Sequence, residues 1–331
     1  MIKYLFVGDL HLRGNNPRNR IDDYAEAAKR KLKEVFSIAK DNEVDAILQP
    51  GDIFDRPEVG IAVLLEYSEL LKESPVDIYC TIGNHDIYGY NVGSYYRTSL
   101  HLLEMLVPQL HVIESPEAKP IYLAKGHYKV YLTATPYNRD MDINGYGYSP
   151  DVEYNADLHI GIHIAHGMLL DHKPPFDRYS DLYKVDTDAD IILTGHDHIG
   201  YGVYHRKADG KLFVNPGSLL RMSASVSEIS RPIQVALITI NEVSGAYDAT
   251  LIPVTAAPGE EVLDRSKVEE EKQRQYAMEN FSALIQGHTG NKVLMDINQI
   301  IDQVAAEEKY SPEVVQTALQ IIDSQREGVV A

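Results

Sequence analysis

Five apolar runs in this chain each end in residues able to bind metal ions, and that repeated junction restricts the fold more than any other feature. Residues 2–7 lead into Asp9-Leu10-His11, residues 44–48 into Gly51-Asp52-Ile53-Phe54-Asp55, and residues 76–82 into Gly83-Asn84-His85-Asp86. Further on, residues 158–165 precede His166-Gly167, and residues 189–193 precede Gly195-His196-Asp197-His198. Short apolar runs bounded by turn residues read as buried strands. In an open α/β sheet the loops at the carboxyl ends of parallel strands converge on one crevice, where ligands bind. Five such loops delivering Asp, Asn and His to one crevice predict a site for two metal ions.

The intervening sequence supplies the helices of such a fold. Between Asp22 and Asp41, apolar residues fall at Ala25, Ala28, Leu32, Val35, Phe36 and Ala39. That is a helical period, with Asp22 or Asp23 placed as N-cap. Residues 61–71 and 95–106 read as further helices, so right-handed crossovers and a mainly parallel sheet follow. From Lys119 onward the runs shorten and become rich in β-branched residues and tyrosine: 127–135, 201–204, 211–214, 233–240 and 247–254. Turns such as Ala208-Asp209-Gly210 and Val243-Ser244-Gly245-Ala246 separate them. They predict a second, partly antiparallel sheet packed on the first. Residues 137–157 form a long Gly/Asn/Tyr-rich loop, a kind more often functional or mobile than structural.

The expected architecture is therefore α/β: two sheets of βαβ origin flanked by helices over residues 1–258. A small helical module follows over 259–331. In that module residues 266–285 are charged with a helical pattern, 296–307 carry Ile297, Ile300, Ile301 and Val304, and Ser311-Pro312-Glu313 opens a last helix.

Composition narrows the setting. A net charge of −18 argues against broad, nonspecific attraction to nucleic acid, while leaving room for a local cluster of cations around a site. The single cysteine, Cys80, lies in an expected strand and excludes an intrachain disulfide. With an N-terminus that reads as a core strand and not as a targeting segment, this predicts a cytoplasmic protein. No apolar run approaches the ~20 residues needed to span a bilayer, so no membrane association is expected.

Phosphodiesters resist hydrolysis because their oxygens repel an anionic nucleophile and the departing alkoxide is a strong base. Two divalent ions ~3.5–4 Å apart answer both difficulties by clamping the phosphate and lowering the pKa of a water. Such a pair needs a carboxylate that touches both ions, and Asp52 is the natural bridge. Asp9, His11 and His198 would complete one ion, and Asn84, His166 and His196 the other. His85, directly after Asn84, would face the leaving oxygen and stabilise or protonate it, with Asp86 orienting the ring. Mixed His, carboxylate and amide donors suit Mn2+, Fe2+ or Zn2+ better than Ca2+ or Mg2+. The lack of cysteine ligands argues against a structural zinc site. Each motif alone is weak; five in series behind strands are not. His163 competes with His166, and the glycine after His166 favours the latter. Asp55 reads equally as a catalytic group or as an orienting one. Arg13, Arg18 and Arg20 lie just beyond the first motif, either as phosphate contacts or as a solvated charged loop. Tyr88, Tyr90, Tyr95 and Tyr96 are candidates for base stacking or, for most of them, for packing.

Taken together these motifs resemble the calcineurin-like metallophosphoesterase superfamily over residues 1–240. Within it the chain is similar to the SbcD-type DNA-repair nucleases, bacterial and phage relatives of the Mre-eleven nuclease. The closer likeness rests on Asp9-Leu10-His11-Leu12 with the basic loop after it, on Thr135-Pro136-Tyr137, and on Asn215-Pro216-Gly217-Ser218-Leu219-Leu220-Arg221 following the last metal motif. The resemblance implies a metallophosphoesterase sandwich and Mn2+-dependent exonuclease and endonuclease activity on DNA. It also implies a homodimer and an SbcC-type ABC ATPase partner, bound through the C-terminal helical module. Many archaeal and eukaryotic relatives carry His where this chain has Asp55, so a second catalytic histidine does not carry over. The short C-terminus suggests a compact, phage-like version. The same fold also accommodates small-molecule and cyclic-nucleotide phosphodiesterases, because metal motifs do not specify the substrate. A non-catalytic scaffold would be expected to have lost ligands.

Overall fold

A computed structural model describes residues 1–115, 121–124, 129–151 and 159–266, with isolated residues and pairs between 274 and 317. The chain divides into a compact unit, Met1–Lys267, and a second unit, Val268–Ala331.

Strand and helix alternate through the first part of the chain: β1 (Ile2–Phe6), α1 (Tyr24–Asp41), β2 (Ala46–Gln49), α2 (Ile61–Leu71), β3 (Ile78–Thr81), α3 (Ser99–Leu106) and β4 (Leu110–Ile113). Asp23 starts α1 by accepting the Glu26 N–H at 3.0 Å, and the helix buries Ala28, Leu32, Val35 and Phe36. The expected helix at 95–106 is broken. A 3-10 turn, Val92–Arg97, ends at Thr98, whose side chain caps α3.

Six strands then form a second sheet, with a small two-stranded pair between them in the chain. The sheet strands are β5 (Ile121–Ala124), β6 (Lys129–Thr135), β7 (His159–Ala165), β10 (Ile191–Thr194), β11 (Gly202–Arg206) and β12 (Lys211–Asn215). The pair is β8 (Leu169–Leu170) with β9 (Ser180–Asp181). The unit closes with α4 (Val226–Ser230), β13 (Gln234–Ile240), β14 (Tyr247–Pro253) and α5 (Gly259–Val262).

The first sheet runs β14-β13-β1-β2-β3-β4 and the second β11-β12-β10-β7-β6-β5. In the first, β1 to β4 are parallel, as Tyr4 opposite Ala46 and Ile47 opposite Ile78 set. In the second, β12, β10, β7 and β6 are parallel and both edges are antiparallel. The hairpin β13–β14 joins the first sheet, antiparallel to β1, and not the second as its β-rich sequence suggested. The reason lies in the alternation of β13: Val235 and Leu237 face the core beneath the helices, whereas Ala236, Ile238 and Ile240 face the other sheet. A strand buried on both faces belongs inside a sheet.

Phe6, Leu48, Ile162, Leu193 and Val214 meet in the layer between the sheets, while the helices cover the opposite face of the first. The outer face of the second sheet is covered by irregular chain. Met141 and Tyr148, from the long loop, are fully buried there beside Leu169 and Phe213.

The first unit reaches past the expected boundary at Pro258. The Ile21 N–H donates to Val262 O at 3.1 Å and the Asp264 N–H to Asn19 O at 2.8 Å, tying α5 and its exit to the loop before α1. Most of the helices expected beyond Ser266 lie outside the described residues. Of those described, Arg274, Tyr276, Met278, Val304, Ala305, Val314, Val315 and Thr317 have helical backbone. No helix among the described residues is long and apolar enough to cross a membrane.

Phe6 stands fully buried between the two sheets, so Phe6→Ala should lower the unfolding free energy by ~3–5 kcal/mol. Asp23→Ala, which removes only a helix cap, should cost about 1 kcal/mol. Urea denaturation of both variants beside the parent would show the two costs, and equal costs would contradict the inter-sheet placement of Phe6.

Candidate metal centre

The sheets deliver five loops to one place: those after β1, β2 and β3 of the first sheet, and those after β7 and β10 of the second. Three donor groups result: Asp9 with His11, Asp52 and His198; Asp52 with His166 and His196; and His11 with Asp55 and His85; within each the donor atoms lie within 4.8 Å of one another. Asp52 joins the first two. Its Oδ2 is 3.5 Å from His11 Nε2 and 3.3 Å from His166 Nε2. On one side Asp9 Oδ2 is 3.5 Å from His198 Nε2, and on the other Asn84 Oδ1 is 3.0 Å from His166 Nε2.

The local backbone is bent to achieve this. His11, Asp52 and His196 have φ of 46°, 52° and 73°, a left-handed conformation that costs a non-glycine residue ~1–3 kcal/mol. Such strain persists only where the surroundings over-determine it. Here the N–H groups of Leu10 and His11 both donate to Asp52 O, and that of Leu12 donates to Ile53 O, so the first two loops hold each other. Glycine is required where the carboxylates sit against neighbouring backbone. A Cβ on Gly83 would stand 2.0 Å from Asp52 Oδ1, and one on Gly195 would stand 2.3 Å from Asp9 Oδ1.

Three buried polar atoms of the cluster lack hydrogen-bond partners: Asp9 Oδ1, His11 Nδ1 and Asp52 Oδ2. In addition, His11 Nε2 faces His198 Nε2 at 2.9 Å, one imidazole nitrogen against another. Buried polar atoms are almost always satisfied, so orphaned acceptors opposed to ring nitrogens are what a cation would complete. His166 is prepared for such a role: its Nδ1 lies 2.9 Å from Pro50 O, which fixes that nitrogen as donor and turns Nε2 inward.

Charge follows the same geometry. Burial opposes ionisation of Asp52, yet the adjacent His166 overrides it and holds the carboxyl well below the usual range. Burial likewise opposes charge on His166, but the Asp52 carboxylate raises it to about 9. Burial raises Asp9. Burial, with positive His166 beside it, lowers His196 to about 3.

His85 is half-buried beside this cluster, its ring edge-on to His11 with centroids 4.8 Å apart. Its orientation comes from a contact of 2.8 Å between Nδ1 and the Asp55 carbonyl, not from Asp86 as the sequence suggested. Asp86 faces elsewhere: its oxygens accept the N–H groups of Asp52 (2.7 Å), Gly83 (2.9 Å) and Phe54 (3.2 Å). It organises loops and does not touch the reacting groups. His163 is turned away as well, with Thr133, Thr135 and the Gly147 carbonyl on its nitrogens.

The three arginines separate. Arg13 pairs with Asp55 at 2.7 Å, and Asp55 Oδ1 lies 3.6 Å from His11 Nδ1. Arg18 is exposed. Arg20 is buried and bonded to Asp22 and the Arg221 carbonyl, so it is not a surface phosphate contact. Among the tyrosines, Tyr95 is core and bonded to Glu104, while Tyr88 and Tyr96 are exposed and reach Glu58 and Glu114. Tyr90 packs at 5.4 Å on Tyr137, and Tyr137 at 5.3 Å on His196. Sequence reasoning noted Tyr137 only as the end of a strand motif, without a role at the site. Nothing in the sequence signals the Pro50 and Asp55 carbonyls that aim the histidines.

The sequence pattern of the calcineurin-like phosphoesterase family matches residues 2–200, and this chain belongs to that family. It is a metal-dependent phosphoesterase, a hydrolase. No curated protein matches the sequence. Among solved structures it is similar to a Staphylococcus aureus protein described as a 5′-nucleotidase, at 14% identity and a TM-score of 0.46; the alignment covers 77% of this chain and 55% of that one. A dimetal phosphatase from Danio rerio aligns at 11% identity and a TM-score of 0.44, over 77% of this chain and 99% of that one. The calcineurin-like phosphoesterase YfkN from Bacillus subtilis aligns at 13% identity and a TM-score of 0.46, over 82% and 97%.

Metal binding at this centre should be linked to proton release. A ligand must be deprotonated, whereas the metal-free His166, raised to about 9, carries its proton at pH 7.5. Affinity should therefore climb as pH rises toward 9 and level off above it, and fall as pH drops. Calorimetric titration with Mn2+ in buffers of different ionisation enthalpy should show protons released at pH 7.5 and fewer at pH 9.5. Equal heats in all buffers at pH 7.5 would contradict a charged His166.

Proposed function

We propose that this chain is a binuclear metal-dependent DNA nuclease, using Mn2+ and acting as exonuclease and endonuclease with an SbcC-type ATPase in DNA repair. The observation that carries the metal chemistry is Asp52 Oδ2, set between His11 and His166 where one carboxylate serves the first two donor groups. Asp9, His11 and His198 would hold one ion, and Asn84, His166 and His196 the second. The donor set of His nitrogens, carboxylates and one amide oxygen suits Mn2+. Bound there, the two ions would supply a clamp on the phosphate and a water of lowered pKa.

The remaining work belongs to side chains. Asn84 gives a neutral oxygen and so limits negative charge opposite an anionic substrate. His85, with Nδ1 anchored on the Asp55 carbonyl, presents Nε2 to the leaving oxygen and moves a proton to it. The Asp55 carbonyl orients His85, and its carboxylate, paired with Arg13, lies opposite His11 Nδ1, in keeping with the orienting role of the two that its sequence position allowed. The DNA substrate is supported by the likeness of Asp9-Leu10-His11-Leu12 and Asn215–Arg221 to the SbcD-type nucleases, and by the exposed Arg18 beyond the first motif. The net charge of −18 favours a second reading, a phosphodiesterase for small or cyclic diesters. A single-stranded oligonucleotide, cyclic nucleotides and bis-(p-nitrophenyl) phosphate offered with Mn2+ separate the two. Turnover of small diesters alone would overturn the nuclease.

A homodimer and docking of the ATPase through the C-terminal module belong to the same proposal. They rest on the family likeness and on the apolar set Val314, Val315, Ala318, Leu319, Ile321 and Ile322 in the sequence. Pull-down of the ATPase by the full chain, lost when those apolar residues become serine, is the corresponding test.

Asp52→Asn should abolish metal occupancy and hydrolysis together. His85→Ala should keep both ions while hydrolysis falls by ~10²–10⁴-fold, as for loss of general acid help. Metal analysis and rates measured on the same samples decide it; loss of metal from His85→Ala would make that residue a ligand. Arg18→Ser should flatten the slope of log DNA affinity against log salt by ~0.7–0.9 and leave hydrolysis of the chromogenic diester unchanged.

A further inference from the structure

A second charged site lies behind α1, where a cavity of about 340 Å³ is walled by Arg20, Arg30, Lys31 and Arg221 and by two carboxylates, Asp22 and Glu34. None of the seven candidate ligands lines it. Lys31 and Arg221 are 5% and 6% exposed, yet neither forms an ion pair with a described carboxylate. Lys31 Nζ donates to Leu219 O at 2.8 Å. The Arg221 guanidinium donates to the carbonyls of Glu228, Ala257 and Arg231.

The acidic groups nearby are mostly engaged, and the exception, Glu260, is exposed and forms no ion pair with Arg221 among the described residues. Asp22 is bonded to Arg20, Glu228 to Arg231 at 3.0 Å, and Glu34 to the Thr255 N–H and hydroxyl at 2.9 Å each. Arg30, exposed at the rim, has no hydrogen-bond or ion-pair partner among the described residues. Two buried cations hydrogen-bonded only to carbonyls, with a third free at the mouth, leave positive charge that Asp22, Glu228 and Glu260 offset only in part. Buried charge is costly unless it is paired. This concentration stands in a chain whose net charge is −18, so it is not a general property of the surface.

We propose that this cavity binds a phosphate-group anion, either inorganic phosphate or a nucleoside monophosphate, held between Arg30, Lys31 and Arg221. The fork of Arg221 and the ammonium of Lys31 match phosphate oxygens. The volume falls at the small end of the ~300–1,000 Å³ usual for ligand pockets, enough for a mononucleotide. Ala27, Ala256 and Val262 give the rest of the wall an apolar character suited to its organic part. Consistent with this geometry, burial and the cations Arg20, Arg221 and Arg231 push Lys31 down to about 7, a field that a bound anion would relieve.

The test uses metal-loaded, full-length protein. Crystals soaked in tungstate, a phosphate analogue, should give an anomalous peak between Arg30, Lys31 and Arg221, separate from any peak at the metal centre. Calorimetry with inorganic phosphate and with thymidine monophosphate should show the site weakened ~10-fold or more in Lys31→Met. In Arg30→Gln, whose exposed side chain is not needed for folding, it should weaken ~2–5-fold. Metal content should stay unchanged in both variants. Whichever of the two anions binds more tightly names the occupant and sustains the proposal. A tungstate peak at the metal centre only, or isotherms unchanged in Arg30→Gln and Lys31→Met, would overturn it.

Discussion

Asp86 is fully buried and accepts backbone N–H groups from Gly83, Asp52 and Phe54, so a single carboxylate fixes the loop after β2 against the loop after β3. The arrangement recurs. Asp52 Oδ1 accepts the His85 N–H at 2.8 Å, and Asp9 Oδ2 accepts the His196 N–H at 2.9 Å. Each acidic side chain is thus held by the backbone of a different ligand loop. Because Asp9 comes from the first sheet and His196 from the second, the last of these bonds also ties the two sheets at their carboxyl ends. Burial and the neighbouring Asp52 carboxylate raise Asp86 to about 7, although the N–H groups of Gly83 and Phe54 favour its ionised form. The strained φ of Asp52 and His196 is maintained by these same bonds.

What the sequence disclosed follows from which of these interactions have a local signature. The alternation of apolar run and polar loop located β1, β2, β3, β7 and β10, because a strand buried on both faces reads as a near-continuous apolar run. Asp23 and the apolar spacing of α1 were legible for the same local reason. Long-range contacts were not. That β13 pairs with β1, and that His163 points at Thr133 and Thr135 while His166 turns to Pro50 O, depends on partners far away in the chain. Asp86 shows the limit most sharply. Its place next to His85 suggested a pair, yet at the sharp turn after β3 successive side chains diverge, and Asp86 is turned to the backbone of another loop.

Arg20 shows the converse error and leads to the second charged region. Proximity to Asp9-Leu10-His11 made it look like a phosphate contact at the metals, but residues 13–20 leave the centre and return to α1, where Arg20 stacks on Tyr24 with its guanidinium carbon 5.2 Å from the ring centroid. There it meets the segment running from Asn215 to Arg221. The N–H side of that segment faces the metal loops, with Ser218 N–H on His198 O and Leu219 N–H on Asp9 O. Its carbonyl side faces buried cations: Leu219 O meets Lys31, Ser218 O and Leu220 O meet Arg231, and Arg221 O meets Arg20.

One strip of peptide is therefore polarised across its width, donors toward the metal-binding carbonyl loops and acceptors toward ammonium and guanidinium groups. This accounts for cations so deep in an acidic protein: they satisfy carbonyls that the strip, having left β12, can no longer offer to a sheet partner. It also explains why Lys31 and Arg221 have no paired carboxylate, whereas Arg20 and Arg231 keep Asp22 and Glu228. Carbonyl oxygens complete the donors geometrically but carry no net charge, so hydrogen bonding is nearly closed while the electrostatic balance stays open. The excess positive charge gathers on the side of the strip that faces α1, where Lys31 and Arg221 form part of the cavity wall.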